Sequence, residues 1–223
     1  MGNLLSGLSQ TPVFPSGLYA IFDPTRSRGR PLNSMLRDLL RGGARLIQLR
    51  AKTLPSNDFF QQAIEVRRLT RQAGAVFIVN DRVDIALASQ ADGVHLGQED
   101  IPLAVARRLM GEKRIIGIST HDLEQAREAE QGGADYIGFG PIFATATKDT
   151  GYAPKGLGTL EEICRAVKIP IVAIGGITEN DAAQVWMAGA NAVAIISDLM
   201  GADDVAEKAR KLLAIYQPSS RSS

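Results

Sequence analysis

The amino-acid sequence predicts an α/β fold, specifically a single (β/α)8 barrel of the TIM type. Eight short apolar runs, rich in Val and Ile, recur along the chain with helical patterns between them. The runs are mostly continuous rather than alternating, which is typical of parallel strands that are buried on both faces. Strand–helix alternation favours right-handed parallel crossovers, and eight such units in about 200 residues suit a compact barrel. An open doubly wound sheet is the main alternative.

The predicted strands occupy residues 17–23, 44–51, 75–81, 93–98, 114–120, 134–141, 169–176 and 192–198. Between them, apolar residues of 58–74 and 179–190 recur at helical spacing, which predicts faces turned toward a core. Trp186 lies on such a face, so we expect it in the core rather than at a ligand. Glycine, the usual helix stop signal, precedes several of the strands, at Gly43, Gly74, Gly133 and Gly189.

The composition indicates an ordinary globular domain and excludes several classes of function. The chain has 223 residues, of which 45% are hydrophobic and 22% charged, and we expect a catalytic barrel at 17–216 between a flexible leader (1–16) and a flexible tail (217–223). The formal net charge of +1 without a polybasic tract argues against a nucleic-acid partner. No apolar run approaches the roughly 18 residues of a membrane span, and no signal peptide is evident, so a cytoplasmic location is expected.

Polar residues follow successive predicted strands, at the end where barrels carry their active sites. They include Asp81 and Asp100 after neighbouring strands, and the cations Arg50, Lys52 and Lys148. A carboxylate pair beside several cations is what a magnesium-bound diphosphate requires. Surface ion pairs at loop starts are the alternative, but the residues all belong to one rim, which favours an anion site.

A second phosphate-type subsite is predicted after the seventh and eighth strands. The double glycine 175–176 lets backbone N–H groups approach a ligand, and Ile196 and Ser197 follow the next strand. The same glycines also suit a tight turn whose helix is capped by Thr178 and Asp181, and both interpretations can hold together. Two such subsites predict an enzyme that joins or splits two phosphorylated molecules.

The two histidines carry no assigned acid–base role. His95 lies within the fourth predicted strand, which favours a hydrogen-bonded core histidine, and His121 follows the fifth strand near the rim.

The segments QLRAK, NDR, ADGVHLGQED, GADYIGFGPIFATATK, AIGGI and AIIS, in this order, resemble the thiamine-phosphate synthase family. The resemblance runs from about Gly17 to about Leu213. It implies a transferase of thiamine biosynthesis that joins hydroxymethylpyrimidine diphosphate to a thiazole monophosphate and releases pyrophosphate. It also implies Mg²⁺ as cofactor and a dissociative mechanism, in which pyrophosphate leaves before the thiazole nitrogen attacks.

The resemblance implies a role for each rim residue. The pyrimidine diphosphate would be held by Gln48, Arg50, Lys52, Asn80, Ser119 and Lys148, of which Arg50, Ser119 and Lys148 would be catalytic. Magnesium would be held by Asp81 and Asp100. The thiazole phosphate would be held by Thr145, Thr147, Gly176, Ile196 and Ser197.

Three alternatives remain beside this activity. A thiazole tautomerase paralogue would not require both the Asp pair and the Thr-x-Thr-Lys loop. A noncatalytic thiamine-phosphate binding protein would bind product without turnover. A barrel enzyme acting on sugar phosphates could share the phosphate loop, but Asp81, Asp100 and the QLRAK segment argue against it. The expected partners are small-molecule substrates, and the sequence leaves the oligomeric state open, a homo-oligomer included.

Overall fold

The structure, a computed structural model, describes residues 14–145 and 151–216. Within them eight parallel strands form a closed barrel in the order β1 to β8, and β8 pairs back onto β1. The predicted (β/α)8 barrel is therefore confirmed, and the open sheet is excluded because neither edge is left unpaired.

The strands are short and lie inside the predicted runs. They are Gly17–Phe22 (β1), Leu46–Leu49 (β2), Val76–Asn80 (β3), Gly93–Leu96 (β4), Ile115–Thr120 (β5), Tyr136–Phe139 (β6), Ile171–Ile174 (β7) and Ala192–Ile195 (β8). The helices of the described residues are Leu32–Arg41 (α1), Ser56–Gln72 (α2), Val83–Ala88 (α3), Leu103–Met110 (α4), Leu123–Gln131 (α5), Gly156–Ala166 (α6), Glu179–Met187 (α7), Ser197–Met200 (α8) and Val205–Ile215 (α9). A 3-10 turn, Pro24–Arg26, follows β1, and α8 is an extra helix before α9.

The larger core lies between the outer face of the barrel and the ring of helices. Leu36 of α1, Phe59 of α2 and Trp186 of α7 are buried there, which confirms the predicted core position of Trp186. The predicted stop glycines Gly43, Gly74, Gly133 and Gly189 all have positive φ. In this left-handed conformation glycine ends a helix without the steric cost of a Cβ atom.

A second, smaller core fills the inside of the barrel. Tyr19, Tyr136 and seven aliphatic neighbours are buried there, among them Leu46 and Ile78. Phe14, which falls within the predicted leader, packs on this core just before β1, with its ring 4.3 Å from that of Tyr136. The inner core therefore mixes apolar side chains with two phenols.

Two strand glycines make room for large side chains in this interior. Register places Gly117 of β5 level with His95 on one neighbouring strand and with Tyr136 on the other. A Cβ atom on Gly117 would meet the ring of Tyr136 at 2.0 Å, and one on Gly138 would meet the ring of His95 at 3.0 Å. Glycine weakens a strand, so its presence here is explained by the close approach of these rings.

The substitution Gly117→Ala should destabilise the barrel by about 1–3 kcal/mol, because the buried Tyr136 ring has to move to accept the methyl group. Gly158→Ala in α6 is the matched control: a Cβ there meets nothing within 4 Å, so alanine should stabilise that helix by about 0.5–1 kcal/mol. Urea unfolding followed by circular dichroism measures both changes. Wild-type stability of Gly117→Ala would contradict the assigned packing.

Candidate active site

A cavity of about 280 Å³ opens at the carboxyl ends of the barrel strands. Side chains and backbone from β1 through α8 line it. The residues of the predicted site that line it are Gln48, Arg50, Asn80, Ser119, Thr145, Gly176, Ile196 and Ser197. Residues predicted for the pyrimidine side and for the thiazole side therefore face one shared space. Thr147 and Lys148 lie outside the described residues.

Arg50 is held at the rim by a buried carboxylate. Its Nη1 atom lies 2.5 Å from Oδ2 of Asp23, which follows β1 and is only 1% exposed. The other oxygen of Asp23 accepts from the backbone N–H and the hydroxyl of Thr25, at 2.9 and 2.7 Å. A charged pair of this kind, with its remaining lone pairs satisfied, orients the guanidinium before any ligand arrives.

The predicted metal ligands belong to a charged cluster next to this cavity. Lys52 Nζ lies 3.1 Å from Oδ2 of Asp81, and the backbone N–H of Gly97 donates to Oδ2 of Asp100 at 2.6 Å. Asp81 ends its strand with a φ of 63°, and its N–H donates to the carbonyl of His95 at 2.8 Å. Positive φ is uncommon outside glycine, although Asp tolerates it better than most residues. This backbone turn places Asp81 beside Asp100.

The pKa of Asp100 is raised above its usual value. Burial is the largest cause, and the charge of Asp81 adds to it, while the Gly97 N–H and the Lys52 ammonium act in the opposite direction. Among the residues described so far, the two cations Arg50 and Lys52 accompany three carboxylates, those of Asp23, Asp81 and Asp100. This excess of negative charge is suited to a hard divalent cation that completes its shell with water and phosphate oxygens.

The opposite side of the cavity is built where the loop after β6 packs on the loop after β7. Gly175 and Gly176 both have positive φ. A Cβ on Gly176 would lie 2.5 Å from the carbonyl oxygen of Ala144, and the N–H of Phe143 donates to the Gly175 carbonyl at 3.0 Å. This close contact of two backbones brings Thr145 to the same cavity as Gly176 and the start of α8. A phosphate subsite there stays a prediction.

Comparison with known proteins gives the family. The family model for thiamine monophosphate synthase matches residues 18–199, most of the chain. The chain belongs to the thiamine monophosphate synthase family. A curated thiamine-phosphate synthase from Moorella thermoacetica is 51% identical over 195 residues, covering 87% of this chain and 93% of that protein. Another, from Chloroflexus aurantiacus, is 50% identical and covers 89% of this chain and 91% of its own.

A solved structure supports the same family. Thiamine phosphate pyrophosphorylase from Pyrococcus furiosus superposes with a TM-score of 0.82 at 43% identity, over 89% of this chain and 94% of that one. These comparisons confirm the predictions made from the motifs: thiamine monophosphate synthase family, thiamine-phosphate synthase activity, a transferase and a TIM barrel. Across the described residues, no helix is both long and apolar enough to cross a membrane.

Three residues that the structure places at the site were not assigned to it from the sequence. The cavity is also lined by Tyr19 and His95, and Asp23 supports Arg50. An acidic residue at the carboxyl end of the first strand was a visible signal for Asp23, because that position also belongs to the rim. Tyr19 had no such signal, since an aromatic residue within an apolar strand predicts only core.

Two further sequence predictions concern the start of α7 and the position of His121. Thr178 and Asp181 form the expected capping box at the start of α7. His121 lines the cavity, its Nδ1 lies 2.6 Å from the carbonyl oxygen of Gly140, and its ring stacks on Tyr152 at 3.8 Å. The predicted rim position of His121 agrees with this placement.

Substitution of Asp100 by Asn should stabilise the metal-free protein near neutral pH. A raised pKa means that the fold favours the protonated form, so the wild type loses stability as pH rises through that pKa, and an amide avoids the loss. We expect Tm to rise by about 2 °C at pH 7 in chelator, with the difference vanishing toward pH 4. The control is Asp203→Asn, at an exposed position. Equal melting of both variants at pH 7 would argue against repulsion at Asp100.

Proposed function

We propose that the protein joins hydroxymethylpyrimidine diphosphate to a thiazole monophosphate, forming thiamine monophosphate and pyrophosphate by a dissociative, magnesium-assisted reaction. The observation that carries this proposal is the shared cavity. It brings Gln48 and Ser119, expected on the pyrimidine side, together with Thr145 and Gly176, expected on the thiazole phosphate side. A coupling reaction needs both substrates in one enclosed space with their reacting atoms aligned.

On the pyrimidine side, neutral polar groups would bind the ring and cations would bind the diphosphate. Gln48 and Asn80 present amides at the carboxyl ends of neighbouring strands, and Ser119 presents a hydroxyl. Arg50 would meet the diphosphate oxygens with a guanidinium that Asp23 already orients. An arginine held in advance loses less rotational freedom on binding, which strengthens its grip on phosphate.

Asp81 and Asp100 would hold Mg²⁺, and the donor chemistry of the cluster fits that ion. When bound, the ion would neutralise charge on the diphosphate and so stabilise pyrophosphate as a leaving group. Lys52, now paired with Asp81, would exchange that partner for a phosphate oxygen. The three side chains would therefore respond together when substrate binds.

The bond changes balance without a protein nucleophile. The carbon–oxygen bond between the pyrimidine methylene and the diphosphate breaks, and its electron pair leaves with pyrophosphate. The resulting pyrimidinylmethyl cation accepts the lone pair of the thiazole nitrogen. Since negative charge grows on the departing group, the cations Arg50 and Lys148 would stabilise this step most.

On the thiazole side, Thr145, Thr147, Gly176, Ile196 and Ser197 would bind the phosphate. The described members of this set all line the cavity, and two of them, Thr145 and Gly176, lie in the loops after β6 and β7, which pack on each other. Holding the thiazole phosphate there would place its ring toward the pyrimidine side of the same cavity. Such alignment lets the cation meet the thiazole before it meets water.

The direct test is a coupling assay. Purified protein, Mg²⁺, pyrimidine diphosphate and thiazole phosphate should yield thiamine monophosphate, which oxidation converts to fluorescent thiochrome. We expect a signal that disappears with chelator and returns with added magnesium, because the carboxylate pair requires a divalent ion. Folded protein that leaves both substrates intact would overturn the proposal and favour a tautomerase paralogue or a noncatalytic binding protein.

Replacing Lys148 by Ala should lower the coupling rate by on the order of 10²-fold, because the developing negative charge would lose a cation; the magnitude is taken by analogy with the loss of one oxyanion-hole donor. Lys211→Ala, at an exposed position of α9, is the matched control and should leave the rate unchanged. Single-turnover measurement with both substrates saturating isolates the chemical step. A loss of less than about threefold would remove Lys148 from the proposed mechanism.

A further inference from the structure

A continuous chain of hydrogen bonds crosses the inside of the barrel beneath the cavity. Nε2 of Gln48 donates to the Tyr19 hydroxyl at 2.8 Å, and the hydroxyls of Tyr19 and Tyr136 lie 2.8 Å apart. Nδ1 of His95 lies 2.9 Å from the Tyr136 hydroxyl, and its Nε2 lies 2.9 Å from Oγ of Ser119. The chain joins residues of β2, β1, β6, β4 and β5.

Both ends of this chain are residues that the proposed function assigns to the pyrimidine. Gln48, Tyr19 and Tyr136 are at most 2% exposed, so water cannot replace a missing partner in the middle of the chain. Each buried donor of the chain therefore has to find its acceptor within the protein.

Counting donors and acceptors gives the chain a direction. The Tyr19 oxygen accepts from Gln48, so the Tyr19 proton is left for Tyr136, its other partner among the described residues. The Tyr136 proton then points to Nδ1 of His95, which has to accept it. His95 consequently carries its proton on Nε2 and donates to Ser119, whose own proton is free to point into the cavity.

Burial keeps both phenols protonated. It raises the pKa of Tyr19 and that of Tyr136 above the usual value, and at Tyr136 the neighbouring Tyr19 adds to the effect. Each phenol therefore remains a donor as well as an acceptor throughout the range in which an enzyme works.

The backbone around the chain is shaped to admit it. The ring of Tyr136 occupies the space that a side chain on Gly117 would fill, and the ring of His95 lies against Gly138. Phe14 stacks on Tyr136 from the amino end of the barrel, and its ring lies edge-on to that of Tyr19 at 6.4 Å. Rings packed in this way have little freedom to break the chain and form it again elsewhere.

We propose that Tyr19, Tyr136 and His95 are positioning residues that couple the Gln48 amide to the Ser119 hydroxyl. Within the chain, Gln48 donates through Nε2 and Ser119 accepts through Oγ. Gln48 therefore has its Oε1 acceptor left for the pyrimidine, and Ser119 has its hydroxyl proton left for the same ring. An aminopyrimidine carries N–H donors beside ring-nitrogen acceptors, which match this pair. The inference rests on the proposed function for the identity of the ligand, while the chain itself is a property of the free protein.

The free protein provides the first test. Nitrogen-15 NMR of histidine-labelled protein at pH about 8, where histidine is ordinarily neutral, should show Nε2 protonated and Nδ1 unprotonated for His95. The sequence contains two histidines, so the variant His121→Gln assigns the signals. Tyr136→Phe removes the donor to Nδ1 and should shift His95 toward a mixture of tautomers. A wild-type His95 protonated on Nδ1, or a tautomer unchanged in Tyr136→Phe, would overturn the chain.

Steady-state kinetics provide the second test. Tyr19→Phe and Tyr136→Phe should each raise KM for the pyrimidine diphosphate by about tenfold and leave KM for the thiazole phosphate within about twofold, because a site left with misdirected polar groups loses affinity for the ligand that they bind. The double variant should raise KM for the pyrimidine diphosphate no further than the single variant with the larger effect, since one broken hydrogen bond already uncouples Gln48 from Ser119. Equal rises in both KM values would indicate a general loosening and overturn the positioning role.

Matched controls separate these outcomes from unfolding. Tyr216→Phe, at the end of α9 beside Trp186, should change neither KM nor the His95 tautomer. Thermal melts by circular dichroism identify any variant that fails to fold, and either tyrosine variant alone is enough for the test. Absence of coupling in the wild type would refute the proposed function, whereas the tautomer measurement would still decide whether the chain exists.

Discussion

The closed ladder of backbone hydrogen bonds from β1 round to β8 is the constraint on which the rest of the structure depends. Once the last strand pairs with the first, the register of every strand is set relative to its neighbours. Side chains that point inward then lie at defined levels, and the carboxyl ends of all strands open on one rim. Arg50, Asn80 and Ser119, distant in sequence, face one cavity for that reason.

The inside of the barrel is not a purely apolar core. Two phenols and an imidazole are buried within it, and each finds partners, so the cost of removing them from water is offset by hydrogen bonds. Hydrogen bonds fix side-chain orientation more strictly than apolar packing does, because each donor has to point at its acceptor. Rigidity beneath the cavity therefore comes from bond direction as well as from close packing, and the strand glycines Gly117 and Gly138 make that arrangement sterically possible.

The charged side chains at the rim are also held by partners within the protein. Asp23 is buried with Arg50, and Lys52 lies on Asp81, so the cations are oriented before an anionic ligand arrives. Asp100 is left with a raised pKa because burial and Asp81 disfavour its charge. A divalent ion would relieve that repulsion, and substrate phosphates would then compete for the cations. Binding of metal and binding of diphosphate would thus favour each other through the same few side chains.

The sequence by itself determined the strand–helix alternation, the family and eight of the residues that line the cavity. Apolar runs, stop glycines and motif order are local features, and a repeating unit needs only local features to be recognised. Most strand ends lie one to three residues inside the predicted runs, because pairing with neighbours sets where a ladder stops. Only the tertiary structure decided that Asp23 orients Arg50 and that Tyr19 and Tyr136 join Gln48 to Ser119. Those contacts cross strands far apart in the chain, and an apolar strand gives no sign of which aromatic hydroxyl will meet which partner until closure of the barrel fixes their levels.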